Sequence, residues 1–295
     1  MKKILIAVFG LAVAVSMPAH AAQQLTVVAS FTVLADMVKE IGGTHVTVQS
    51  LVGPNGDPHV YEPTPADGEA LAKADVVFVS GLGLEGWMDR LIRASATKAP
   101  VVVASQGVTT RHMVDDGKQI TDPHAWNSVA NGVIYARNIT EALAKADPSD
   151  AADIRASGAR YVKQLQDLDA WARTQVNGLP VGKRKIITSH DAFGYMGAAY
   201  SIRFSAPEGY STESEASARD VAALIEQMKK EKIKAVFLEN SNDPRLVQQI
   251  ASATGARIGG KLYPEALSEP DGPAPTYARM FRYNIETLVH GMHAN

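Results

Sequence analysis

The sequence predicts an α/β fold, with two lobes of mainly parallel sheet flanked by helices and joined by one long rigid helix. Short apolar, β-branched segments alternate with segments of helical periodicity, which is the pattern of βαβ units. One long apolar stripe interrupts this alternation in the middle of the chain, and the alternation then resumes. The length of 295 residues is sufficient for two modest domains.

The first half of the chain contains four strand-like and three helical segments. In the first helix, apolar residues recur at helical spacing at Leu34, Met37 and Ile41. The predicted strands are Leu25–Ala29, Val46–Val52, Val76–Ser80 and Val101–Ala104, and the predicted helices are Phe31–Ile41, Thr64–Ala74 and Trp87–Ala94.

The middle of the chain is predicted to form the connecting helix. Asp147 and Pro148 are a typical start, because Asp caps a helix and Pro is tolerated in its first turn, and Gly178 marks the end. About 30 residues at ~1.5 Å each give a rod of roughly 45 Å, longer than most surface helices of a small domain. Its apolar stripe consists of Ile154, Tyr161, Leu165, Leu168, Ala172 and Val176.

The alternation after this helix predicts a second lobe. Its strands are Lys185–Thr188, Ala235–Leu238 and a strand ending at Lys261–Tyr263, and its helices are Ala216–Lys230, Pro244–Ala253 and Tyr277–His290. We therefore divide the chain into a signal peptide at 1–21, an N-terminal lobe at 22–147, a linking helix at 148–178 and a C-terminal lobe at 179–295.

The first residues have the three-part pattern of a secretory signal. Lys2 and Lys3 precede an apolar run over 4–15, and Ala19 and Ala21 are the small residues that favour cleavage after Ala21. The run is shorter than the ~20 residues that span a bilayer. The sequence therefore predicts export to the periplasm.

The absence of cysteine bears on both anchoring and chemistry. Without a cysteine to carry a lipid, we expect a freely soluble periplasmic protein that is not lipid-anchored. Thiolates are also excluded from any metal site, which leaves His, Asp and Glu as the strong ligands. The formal net charge of -2 provides no overall basic field for nucleic acid, and gives no reason to expect binding to anionic lipid.

Four segments place chemically active side chains where a predicted strand or its loop ends, which is where ligands gather in α/β sheets. His59 and His124 each end an Asp-Pro-His triplet, in which proline limits the backbone around the imidazole. His190 and Glu265 each follow an apolar strand. A single histidine is usually a surface or hydrogen-bonded residue, but three in such positions, on both sides of the central helix, indicate a shared metal site.

The remaining histidines have simpler explanations. His20 lies in the predicted signal, and His45 and His112 have the surroundings of exposed loop residues. His290 and His293 lie at the C-terminus, where cationic side chains suit the helix dipole.

Around these residues the sequence resembles the metal-binding solute receptors of ABC importers for zinc and manganese, over essentially the whole mature chain. The matching motifs are Gly56-Asp57-Pro58-His59 with Tyr61-Glu62-Pro63-Thr64, Asp122-Pro123-His124-Ala125-Trp126, Thr188-Ser189-His190 continuing to Tyr195, Phe237-Leu238-Glu239-Asn240, and the closing segment from Asp271 to Tyr277.

The resemblance implies two α/β lobes joined by a rigid helix, with one ion in the cleft between them. It assigns the histidine ligands to His59, His124 and His190. The fourth position is usually Asp in the family, and here it falls on Glu265, with Asp271 as a nearby alternative. Glu239 ends a strand as well, and we favour a supporting or interlobe role for it over direct ligation.

The ligand types favour Zn²⁺ over Mn²⁺, with iron as a minor option. Three imidazoles and one carboxylate suit tetrahedral zinc, whereas manganese prefers more oxygen ligands. Against a dedicated zinc receptor, the segment 107–121 lacks the histidine-rich loop that many zinc members carry, and contains only His112 with Asp115 and Asp116.

We therefore predict a monomeric periplasmic substrate-binding protein, not an enzyme, that delivers a divalent metal to an ABC permease in the inner membrane. The alternatives are a metal-dependent hydrolase, an exported adhesin and a receptor for an organic solute. A hydrolase is disfavoured by the absence of a His-Glu-x-x-His or Gly-x-Ser-x-Gly motif. An organic solute requires a roomy aromatic cleft, and only 6% of residues are aromatic.

Overall fold

The structure is a computed structural model, and it describes residues 24–115, 118–209, 212 and 216–295. The signal peptide predicted at 1–21 lies outside the described residues. No helix in the described part of the chain is both long enough and apolar enough to cross a membrane.

The first sheet is parallel and has the strand order β2-β1-β3-β4. All four residues of β3 are buried, as expected for a parallel strand that helices cover on both faces. The strands are β1 (Leu25–Ala29), β2 (Val46–Ser50), β3 (Val76–Val79) and β4 (Val101–Val103), and the helices between them are α1 (Thr32–Gly42), α2 (Pro65–Lys73) and α3 (Met88–Ser95).

Three elements follow that the sequence analysis did not predict. They are the antiparallel hairpin of β5 (His112–Asp115) with β6 (Lys118–Thr121), and the helix α4 (Val129–Ala146). Asn131-Gly132 inside α4 is a dipeptide more typical of turns than of helix interiors. The structure gives another reason for this glycine, because a Cβ at Gly132 would lie 2.6 Å from the hydroxyl of Tyr277.

The connecting helix α5 (Ala151–Asn177) is 27 residues long and packs against α1, α4 and a C-terminal helix. It begins later than predicted. The Asp147 carboxylate accepts the backbone N–H groups of Ser149 and Asp150 at 3.2 Å each, so Asp147 closes the turn before the helix. The apolar stripe predicted for this helix is buried, from Ile154 to Val176.

The second sheet is also parallel, with the strand order β10-β9-β7-β8. The strands are β7 (Lys185–Ile187), β8 (Arg203–Ser205), β9 (Ala235–Glu239) and β10 (Arg257–Leu262), and the helices are α6 (Gly194–Tyr200), α7 (Ala218–Glu231), α8 (Arg245–Thr254) and α9 (Tyr277–Met292). Of these elements, α6 and β8 were not predicted.

The structure confirms the predicted fold class, with two parallel sheets flanked by helices and the long α5 between them in the chain. One hydrophobic core runs from the first sheet through α5 to α9, and a smaller cluster lies around α7 and α8. The exact limits of the two lobes, at 22–147 and 179–295, stay a prediction.

Candidate metal centre

The four side chains singled out in the sequence converge on one point. His124, His190 and Glu265 are each the third residue after a strand, namely β6, β7 and β10, and His59 lies in the irregular segment after β2. One potential ligand atom from each of the four lies within 4.8 Å of the others. Because two come from before α5 and two from after it, the group joins the two halves of the chain.

The distances between these atoms are those of a small coordination cage. His59 Nε2 lies 3.1 Å from His124 Nε2 and 3.2 Å from Glu265 Oε2. The same carboxylate oxygen is 3.7 Å from His124 Nε2 and 3.6 Å from His190 Nε2. A tetrahedral ion with bonds near ~2.1 Å places its ligand atoms ~3.4 Å apart, so the cage has the size for such an ion.

The centre is almost completely withdrawn from solvent. His59 is 6% exposed, and His124, His190 and Glu265 are 0% exposed. Neither His190 Nε2 nor Glu265 Oε2 has a hydrogen-bond partner among the described residues. Buried polar atoms are nearly always satisfied, so two such atoms facing each other at 3.6 Å are typical of a cation site.

The Asp-Pro-His triplets share one local geometry. Asp57 Oδ1 accepts the backbone N–H of His59 at 2.8 Å, and Asp122 Oδ1 accepts that of His124 at 3.0 Å. In each case the aspartate closes a short turn over the proline, and this turn fixes the backbone from which the imidazole projects. The repeated motif therefore encodes a repeated way of presenting a histidine.

Carboxylates also hold the second ring nitrogens of two histidines. Asp122 Oδ1 lies 3.0 Å from His124 Nδ1, and Glu239 Oε2 lies 2.5 Å from His190 Nδ1. Glu239 Oε1 also accepts the backbone N–H of Ser189 at 2.9 Å. Such contacts leave each Nε2 oriented into the cage, as metal-binding histidines require. Glu239 thus lies behind His190, in the supporting position that the sequence suggested.

Burial and neighbouring charges shift the protonation equilibria in opposite directions. Burial lowers the pKa of His124, and this outweighs the hydrogen bond to Asp122. Burial also disfavours the charged form of His190, but the carboxylates of Glu239 and Glu265 outweigh it and raise the pKa of His190 well above its usual range. For Glu265, burial is outweighed by His59 and His190, which hold its pKa well below the usual range.

Other predicted or alternative positions lie apart from this group. Asp271 is exposed and belongs to neither of the metal-compatible groups within the described ranges. The second such group, formed by His45, Asp147 and Asp150, is only partly buried, and Asp147 already closes the turn before α5. His112, like the C-terminal His290 and His293, is exposed.

Sequence reasoning missed two residues that support the centre. Trp126 Nε1 and Asn127 Nδ2 both donate to the carbonyl oxygen of Pro264, at 2.8 Å and 3.0 Å, directly before Glu265. Trp126 ends one of the matching motifs and Asn127 follows it, but neither position reveals a contact with a residue so distant in the chain.

Residues 27–291 match the family model described as zinc-uptake complex component A, periplasmic. The chain is 34% identical over 276 residues to the manganese-binding lipoprotein MntA of Bacillus subtilis, covering 92% of this chain and 90% of MntA.

The chain belongs to this family, the substrate-binding proteins of metal ABC transporters. It is also 30% identical over 281 residues to the iron-binding protein YfeA of Yersinia pestis, covering 95% of this chain and 90% of YfeA. The structure of the periplasmic zinc-binding protein TroA of Treponema pallidum superposes with a TM-score of 0.87 at 31% identity, covering 92% of this chain and 99% of TroA. Members of the family work with a membrane permease and bind a metal ion.

The family comparison corrects one prediction. Several relatives, including MntA, are named lipoproteins, which contradicts the prediction that this protein is not lipid-anchored. That prediction rested on the absence of cysteine. A count of one residue type does not establish how a member of this family is held at the cell surface.

Proposed function

We propose that the protein, acting as a monomer, captures one divalent transition metal ion outside the cytoplasm and passes it to an ABC permease, with Zn²⁺ preferred over Mn²⁺. The observation that carries this proposal is the convergence of His59, His124, His190 and Glu265 in a buried cage. We assign all four as metal ligands. The metal is cargo, so no catalytic role is assigned to any residue.

The donor set supports zinc. Three neutral imidazoles and one carboxylate are the ligands of tetrahedral Zn²⁺, whereas Mn²⁺ prefers a higher coordination number with more oxygen atoms. Distances of 3.1–3.7 Å between the ligand atoms agree with a four-coordinate ion. The relatives are named for manganese, iron and zinc, so the choice of zinc depends on the donor set alone.

The same geometry disfavours a hydrolase. A catalytic zinc keeps an open position for an activated water, whereas four protein ligands complete a tetrahedral shell. A carrier is suited by full ligation by protein, because the ion then has no open position for a reactive water and is retained until the protein changes conformation.

We further propose that metal exchange proceeds by movement of the loop around His59. His59 is the most exposed of the four residues, and the adjacent Val60 is 44% exposed. The continuous α5 does not provide a flexible hinge, so movement of short loops is the accessible route to the buried ion.

The test is elemental analysis of the protein purified without added metal, followed by competitive titration with Zn²⁺ and Mn²⁺. We expect one equivalent of metal and tighter binding of zinc. His59→Ala and His124→Ala are expected to abolish stoichiometric binding, whereas His290→Ala, at an exposed position, retains it. Tighter manganese binding would overturn the metal preference, and stoichiometric binding by both cage variants would overturn the site.

A further inference from the structure

One buried amide connects the loops that carry three of the four proposed ligands. Asn127 follows His124 by three residues and is 0% exposed. Its Nδ2 donates to the carbonyl oxygens of Ala192 and Pro264, at 3.0 Å each. Ala192 lies two residues after His190, and Pro264 directly precedes Glu265. Asn127 therefore holds the backbone of both C-terminal ligand loops at once.

The amide acts here as a donor. Asn127 Oδ1 is buried without a hydrogen-bond partner among the described residues, whereas Nδ2 makes both contacts. Burying a polar group is costly unless it is paired, so the burial of this side chain is explained by the two carbonyl groups that it satisfies.

Neighbouring contacts fix the segment from which Asn127 projects. Trp126 Nε1 donates to the same Pro264 carbonyl at 2.8 Å, and the Tyr277 hydroxyl donates to the Trp126 carbonyl at 2.6 Å. The short helical turn Ala125–Asn127 is therefore anchored on α9, and the Pro264 carbonyl has two donors from one rigid segment.

We propose that Asn127 is a positioning residue for metal retention, which sets the separation of the His190 and Glu265 loops and so keeps the cage closed. This inference rests on the proposed function. Its physical basis is preorganisation, because a site whose ligands are already fixed loses little conformational entropy on binding. Without the amide donor, the two carbonyl groups lose a common partner and the two loops move independently.

The test compares two buried or partly buried amides with the same bonding pattern. Asn127→Asp removes both N–H donors with little change in size. Asn138→Asp is the matched control, since Asn138 Nδ2 also donates to two carbonyl groups, those of Ala104 and Gln106 at 2.8 Å each, outside the cage. Zinc release to an excess of chelator is followed by stopped flow, and Co²⁺ absorption reports the coordination geometry.

We expect Asn127→Asp to release zinc about tenfold faster or more, as expected for the loss of two buried hydrogen bonds, and to change the Co²⁺ spectrum. We expect Asn138→Asp to match the wild type in both measurements. Asn127→Ala, which introduces no charge, serves as a second variant if Asn127→Asp does not fold.

If a folded Asn127 variant released zinc at the same rate as the wild type and gave the same Co²⁺ spectrum, the positioning role would be overturned while the proposed function stayed intact. Equal acceleration by Asn138→Asp would also overturn it, because the effect would then be one of general stability. Failure of the wild-type protein to bind either Zn²⁺ or Mn²⁺ would overturn the proposed function itself, and this inference with it.

Discussion

Glu265 is the single carboxylate among the four proposed ligands of the cage. Its Oε2 lies within 3.7 Å of all three imidazole Nε2 atoms, so the length of its side chain sets the size of the cage. We expect Glu265→Asp to weaken zinc binding about tenfold or more, because the carboxylate retracts by one methylene from ligands held by their own loops. Isothermal titration of zinc measures this, with Glu269→Asp as an exposed control. Unchanged affinity would show that Glu265 is not a ligand.

Protonation of His190 competes with metal at the same nitrogen. The Glu239 and Glu265 carboxylates raise the pKa of His190 despite its burial, and metal binding requires the neutral ring. Affinity is therefore expected to rise with pH until the metal-free His190 is deprotonated, and to fall as pH decreases, by up to about tenfold per pH unit for one displaced proton. His124, with its lowered pKa, adds to this fall only at lower pH.

Competitive titration between pH 8 and pH 5 checks this expectation. Glu239→Gln removes one of the carboxylates that raise the pKa of His190, so its affinity is expected to vary less with pH near neutrality. A flat profile for the wild type, or the same slope for both proteins, would contradict the expectation.

The cage residues could be identified from the sequence because each lies in a local motif or at the end of a strand. The residues that support the cage were harder to identify from the sequence. Glu239 was recognisable at the end of β9, but Asn127 makes its contacts with residues far along the chain. Hydrogen bonds between distant loops depend on how the two halves pack, and a single sequence contains no local signal of that packing.

At the level of secondary structure, α4 and α5 approach closely at a glycine. A Cβ at Gly158 in α5 would lie 2.6 Å from Thr140 Cγ2 in α4, and Thr140 is only 7% exposed. We expect Gly158→Ala to lower the free energy of unfolding by about 1–3 kcal/mol through overpacking. Chemical denaturation measures it.

The matched control is Gly68→Ala in α2, where an added Cβ meets no atom within 4 Å. Alanine has the better helix propensity, so this change is expected to stabilise the protein by about 0.5–1 kcal/mol. A Gly158→Ala protein as stable as Gly68→Ala would show that the two helices have room to separate.

The elements that were predicted have an apolar run or a regular apolar stripe. The β-branched strands and the long stripe of α5 have strong periodicity, and all of them are present in the structure. The three-residue β8 has one apolar residue and so lacks the apolar run of the equally short β4 and β7, and the seven-residue α6 has only about two turns in which to show a helical period. The 18-residue α4 was not predicted although it is long, and the glycine inside it is explained by close packing against Tyr277.

For the whole molecule, the proposed ion would join the two halves of the chain. A ligand that binds only the folded state increases the free energy of unfolding by about 2.7 kcal/mol when its concentration is 100 times the Kd. We expect zinc to raise the Tm of the chelator-treated protein in calorimetry. The His59→Ala/His124→Ala double variant is expected to show no such shift, and an equal shift in both proteins would place the stabilising ion elsewhere.

All four proposed ligands project from loops at the ends of strands, while the sheets and α5 supply none of them. The framework and the coordinating groups can therefore change independently during evolution. An exchange of Glu265 for another oxygen or nitrogen donor would alter which ion is retained without disturbing the packing of β10 beneath it. Related receptors could in this way acquire a preference for a different element through a few loop substitutions on one conserved architecture.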